Sequence, residues 1–219
     1  GDRRSMLGRA RLLKKHGFSV LMIDFQSHGE SRGSKITFGH LESQDVAAAL
    51  AFARETNPDH TIGVIGSSLG GAASLLGDDR RYDALVLESV YTTIDEAIEN
   101  RIRMRLGRLG AFLSTLLRLQ IKPRLGFPPS RLRPIEYINK LQCPVLIASG
   151  DQDLHTTLDQ TLRLFEAAPE PKELVIFKGA AHEDLLEHNP QLYEEKVVGF
   201  FHRYLLAQRD SASIPAENR

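Results

Sequence analysis

Five short apolar runs, each separated from the next by enough chain for a helix, constrain this protein more than any other feature of its sequence. Segments 18–24, 61–66, 84–88, 144–149 and 173–177 are rich in Val, Ile, Leu and Phe and read as buried strands. Segments 3–16, 42–54, 69–77, 156–167 and 191–206 carry helical patterning. Strands buried on both faces and alternating with helices specify an α/β fold, with a mostly parallel central sheet flanked by helices. The chain has 219 residues, enough for one domain with a substantial core. A single α/β domain is expected over 1–207, with a polar, frayed tail at 208–219.

One segment breaks the alternation. Between 91 and 140 no strand is evident, only helix-like sequence interrupted by Gly107, Gly110, Gly126 and the Pro128-Pro129 pair. Within 100–133 stand nine basic residues and no acid: Arg101, Arg103, Arg105, Arg108, Arg118, Lys122, Arg124, Arg131 and Arg133. Leu106, Leu109, Phe112, Leu113, Leu116, Leu117, Leu119 and Ile121 are interleaved with them. This reads as a basic, amphipathic helical insertion. Either it caps a site with solvated arginines and covering leucines, or it is an interfacial segment that attracts anionic lipid or an acidic substrate.

Composition excludes several function classes. The 28 Lys+Arg balance the 28 Asp+Glu, so the chain lacks the general electrostatic footprint of a nucleic-acid binder. The lone cysteine, Cys143, rules out an internal disulfide framework and cysteine-rich zinc sites. No metal-ligand spacing is present, so neither metal nor organic cofactor is expected. No apolar run approaches the roughly 20 residues of a membrane span, and one cysteine fits a reducing, cytoplasmic compartment.

Chemistry concentrates at Gly66-Ser67-Ser68-Leu69-Gly70, which follows one predicted strand and opens a predicted helix. Gly-x-Ser-x-Gly in that context is a nucleophile elbow: a strained turn lifts Ser68 above the sheet edge, with Gly66 and Gly70 removing side chains that would collide. The Leu69 N–H points into the same space and is a candidate oxyanion-hole donor. The competing interpretation of these residues is a Gly/Ser-rich helix cap or phosphate-binding turn. A serine hydroxyl needs a base, and the base an orienting acid. Both should follow later strands, so that they converge at the carboxyl edge. Asp151 and Asp153 follow segment 144–149, and His182 follows 173–177; Ser68, Asp153, His182 is the chain order of Ser…Asp…His hydrolases. His155 and His188 compete with His182, and Asp151 and Glu88 with Asp153.

The chain resembles the α/β-hydrolase superfamily, in particular its bacterial serine-esterase-like branch. Four segments carry the resemblance: Asp24-Phe-Gln-Ser-His-Gly-Glu-Ser31-Arg-Gly33, 66–71, Leu87-Glu-Ser89, and 144–153 with 179–182. Ser27 stands where the family's turn usually has glycine. The resemblance implies a catalytic triad of Ser68, Asp153 and His182, acting through an acyl-enzyme on a small-molecule carboxylic ester, thioester or lipid ester. It also implies a helical cap at about 91–140. Alternatives on the same fold are a peptidase, an acyltransferase or a non-catalytic binding protein. In the family a further strand lies between those at 18–24 and 61–66, and the loop after it supplies a second oxyanion donor. Neither is found here, so the chain is expected to be a fragment of a longer protein.

Overall fold

The computed structural model describes residues 2–78, 80–107 and 111–206. Four strands form a parallel sheet in sequential order: β1 (Gly63–Ser67), β2 (Ala84–Glu88), β3 (Val145–Gly150) and β4 (Lys172–Phe177). The register runs Gly66 to Leu87, Leu87 to Ile147 and Ile147 to Leu174. Every residue of β2 and β3 is buried, as a parallel sheet covered on both faces requires.

Period-2 alternation sends successive side chains to opposite layers. Leu85, Leu87, Val145 and Ile147 pack with Val46 and Leu50 of α2 (Glu42–Thr56), Leu75 of α3 (Leu69–Leu76) and Leu164 of α7 (Leu158–Ala167). Ala84, Val86, Leu146 and Ala148 face the other way, onto Leu13 of α1 (Leu7–Lys15) and Val197, Phe200 and Phe201 near the C-terminus. That last stretch runs from Pro190 to Leu206 and interleaves α-helical turns with wider π turns. Between β2 and β3 lie α4 (Ile94–Leu106), α5 (Ala111–Leu125), a 3₁₀ turn (Pro129–Arg131) and α6 (Ile135–Ile138), with no strand among the described residues. Arg108, Leu109 and the tail at 208–219 lie outside the described residues.

The buried strand expected at 18–24 does not form. The segment joins no ladder, and Val20 and Leu21 are 41% and 50% exposed. A cleft of about 940 Å³ separates it from β1 and is lined by 17–25, 61–67 and residues of α1 and α2. A strand exists only through a hydrogen-bonded neighbour, and across this cleft there is none. β1 is consequently less buried than β2 or β3.

A buried ion cluster ties the first helix to the sheet. The Arg9 guanidinium forks onto the Glu88 carboxylate at 3.0 and 2.6 Å and donates to Asp184 at 2.7 Å, while the Tyr193 hydroxyl also donates to Glu88. Arg9 and Glu88 are 4% and 1% exposed. Glu88, at the end of β2, is therefore committed to structure. Removing one partner of such a pair strands a buried charge, which costs about 3–5 kcal/mol; removing a single hydroxyl donor costs about 1–3 kcal/mol. Urea unfolding is expected to show Arg9→Met losing more stability than Tyr193→Phe, and equal losses would contradict this account of the cluster.

Candidate active site

Ser68 sits at the turn between β1 and α3 with φ 49° and ψ −110°, a conformation a non-glycine residue holds only where its surroundings impose it. The cause is the closeness of strand to helix. A Cβ on Gly66 would lie 2.6 Å from the Gly71 backbone, and a Cβ on Gly71 would lie 2.8 Å from the Gly66 carbonyl oxygen and 2.2 Å from Val90. The Ser68 amide donates to the Glu88 carbonyl at 2.8 Å, tying the elbow to β2. Gly70 behaves differently from its sequence-level reading. A Cβ there would meet Phe25 at 3.7 Å, an ordinary contact, so the steric need falls on Gly66 and Gly71.

Leu69 is the first residue of α3, so its N–H has no acceptor within the helix and points from the helix start. The small residues that follow (Gly70, Gly71, Ala72 and Ala73) let the helix lie on the sheet.

The loop after β3 wraps around Asp153, whose side chain is fully buried. Its Oδ1 accepts the His155 amide at 2.7 Å and the Thr156 amide at 2.9 Å, while its Oδ2 meets His182 Nδ1 at 2.7 Å. Burial pushes this carboxyl up, but the hydrogen bonds from His182 and the Thr156 and His155 amides outweigh it and hold Asp153 below the usual carboxylate range. An ionised carboxylate only accepts, so the His182 proton sits on Nδ1 and Nε2 is left as the base. His182 follows β4 and is 24% exposed at its side chain. Ser68, Ser89 and His182 line the same cleft, at the carboxyl ends of β1, β2 and β4.

The rival residues go elsewhere. Asp151 accepts the Gly179 amide at 2.7 Å and shapes the loop after β4, Glu88 belongs to the Arg9 cluster, and His188 Nε2 contacts the Lys178 carbonyl at 3.1 Å. His155 is not the partner of Asp153 through its ring, yet it is close to the site. Its imidazole lies against that of His182, with centroids 4.7 Å apart, and its Nδ1 is buried with no hydrogen-bond partner among the described residues. Burial, then the neighbouring His182 and Arg101, push its pKa down. Its place two residues after Asp153 was the only sequence signal for this contact. Ser89, the last residue of the Leu87-Glu-Ser89 motif, takes φ 48° just after β2 and lines the cleft. Ser27, at the position where glycine was expected, takes φ 60°, which accounts for that preference.

The chain has relatives among known proteins. Residues 6–129, more than half of the chain, match the family model described as Serine aminopeptidase, S33. The chain is 26% identical over 189 residues to the protein YqkD of Bacillus subtilis, covering 84% of this chain and 62% of that protein. It is 30% identical over 200 residues to Rv2307c of Mycobacterium tuberculosis, covering 90% and 63%. The chain thus spans under two thirds of the length of these curated relatives. Among solved structures, the Pyrococcus furiosus esterase Pf2001 superposes with a TM-score of 0.72 at 22% identity, covering 91% of this chain and 76% of that one.

The steric account of the elbow separates adjacent glycines. Gly71→Ala is expected to cost about 1–3 kcal/mol through overpacking, whereas Gly70→Ala, inside a helix, should be neutral or stabilising by up to about 1 kcal/mol. Denaturant melts of both variants check this, and similar losses in the two would refute it.

Proposed function

Because the chain belongs to the α/β-hydrolase superfamily, through the family described as Serine aminopeptidase, S33, we propose that it is a serine hydrolase that cleaves carboxylic esters through an acyl-enzyme. The observation that carries this reading is the 2.7 Å contact of His182 Nδ1 with the buried Asp153, on the loop beside the cleft that Ser68 lines. The Ser68 Oγ attacks the acyl carbonyl carbon and its proton passes to His182 Nε2. The tetrahedral oxyanion accepts the Leu69 N–H, and collapse breaks the bond to the alcohol oxygen, which leaves with the proton from His182. Water then attacks the acyl-Ser68 ester, His182 again taking and returning one proton, and the carboxylic acid departs. Asp153 holds the imidazole in the required tautomer and stabilises its cationic form.

A peptidase on the same residues is the second reading, and the description of the matched family favours it. The description of Pf2001 as an esterase favours the first. Hydrolysis of p-nitrophenyl acyl esters and of aminoacyl p-nitroanilides by the same preparation separates the two. The ester reading expects turnover of the former with a burst of nitrophenol, a loss of activity to background in Ser68→Ala, and a fall of about 10⁴ in kcat for Asp153→Asn. Turnover of anilides alone would favour the peptidase. Ester turnover unchanged in Ser68→Ala would overturn the proposed nucleophile.

A further inference from the structure

The helical hairpin formed by α4 and α5 turns much of its apolar surface outward. The last turn of α4 is exposed on every side, with Met104 and Leu106 46% and 50% exposed. On α5, Leu116, Leu117 and Leu119 are exposed, the last at 69%, while Ile121 alone of 114–125 is buried. At 100° per residue, Leu116, Leu119 and Pro123 fall together on the side of α5 opposite Ile121. Arg118 and Lys122, four residues apart, flank that ridge on one side, and Arg124 flanks it on the other. None of these residues lines the cleft that holds Ser68.

The charges on this surface are only partly neutralised. Arg103 pairs with Glu99 at 2.7 Å, and Arg118 and Arg133 approach Asp95 at 3.7 and 3.8 Å. Arg105, Lys122 and Arg124 have no carboxylate partner among the described residues. An apolar ridge edged by cations, with Lys122 and Arg124 free of carboxylates among the described residues, is the surface of a helix that lies in the headgroup region of a bilayer. We propose that the α4–α5 hairpin docks on an anionic membrane surface, its leucines entering the acyl boundary and its cations meeting lipid phosphates and carboxylates. A second copy of the chain would set cations against cations, and a nucleic acid would leave the exposed leucines in water; of these three, the bilayer takes both.

The hairpin stands next to the candidate catalytic loop. The Asn100 amide donates to the His155 carbonyl at 3.1 Å and to Gln160 at 2.9 Å, and from Asn100 to Leu106 is about 9 Å of helix. Docking here would hold the Ser68 cleft near the lipid surface. The docking itself does not depend on the proposed hydrolysis.

Co-sedimentation of the 219-residue chain with vesicles tests it, using phosphatidylcholine alone and phosphatidylcholine mixed with phosphatidylserine. Binding is expected to the mixed vesicles, to weaken with salt, and to persist when free inorganic phosphate is added. Lys122→Gln with Arg124→Gln should weaken it about five-fold per cation, from about 1 kcal/mol for each basic residue at an anionic surface. Leu116→Ser with Leu119→Ser should weaken it further, with an unchanged circular dichroism melt. Ser68→Ala should bind as the parent does, so failure of hydrolysis and failure of docking are read separately. Val20→Ser with Leu21→Ser, in the cleft beside β1, should leave binding intact. The proposal is overturned by absent or equal binding to both vesicle types, by hairpin variants that bind like the parent, or by loss of binding in the cleft variant instead. RNA binding, or a dimer that is lost with the leucines, in a chain that ignores vesicles would overturn it equally.

Discussion

The contact of Gly66 with Gly71 is the constraint on which the rest of the candidate site depends. With no side chain on either residue, α3 starts directly over the end of β1, and the chain turns between them in a single residue. That residue is Ser68, and its positive φ is the conformational cost of the turn. The same turn puts the Leu69 amide at the helix start, with no acceptor within the helix, and gives the Ser68 amide to Glu88. The candidate nucleophile and the candidate oxyanion donor are thus both products of one steric allowance between a strand and a helix.

A second, buried constraint holds the sheet edge together from beneath. Arg9 links β2, through Glu88, to Asp184, two residues beyond His182, and Tyr193 closes the cluster from the C-terminal helical stretch. Asp184 also caps α8 (Leu185–His188) by accepting from the Leu186 and Glu187 amides. The loop that carries His182 is therefore fixed at its far end by charge, and on its near side by the Asp151 contact with Gly179. Between these anchors, His182 meets Asp153 without needing a rigid element of its own.

What sequence could reveal here was local. Gly-x-Ser-x-Gly after a strand, and Asp153 and His182 after later strands, are short patterns whose chemistry depends on neighbours in the chain, and the four parallel strands were legible from their apolar runs. Residues 18–24 look equally strand-like, but a strand is defined by its ladder partner, and no property of Val20 or Leu21 records that a cleft lies beside them. The motif singles out Gly70, and only the approach of Val90 and Gly66 shows that Gly71 is the one with no room for a side chain. Arg9 and Glu88 are 79 residues apart, and nothing local marks them as partners. His155 was visible as a rival base, but its ring contact with His182 depends on how two loops fold together.

The central claim is that these constraints produce an activated serine at Ser68. Reaction of the chain with a fluorophosphonate, followed by mapping of the modified peptide, tests it most directly, because the reagent forms its phosphonyl–oxygen bond only with a serine whose proton has an acceptor. The account predicts modification at Ser68, lost in His182→Ala. Modification at another serine, or labelling of Ser68 that is indifferent to His182, would contradict it.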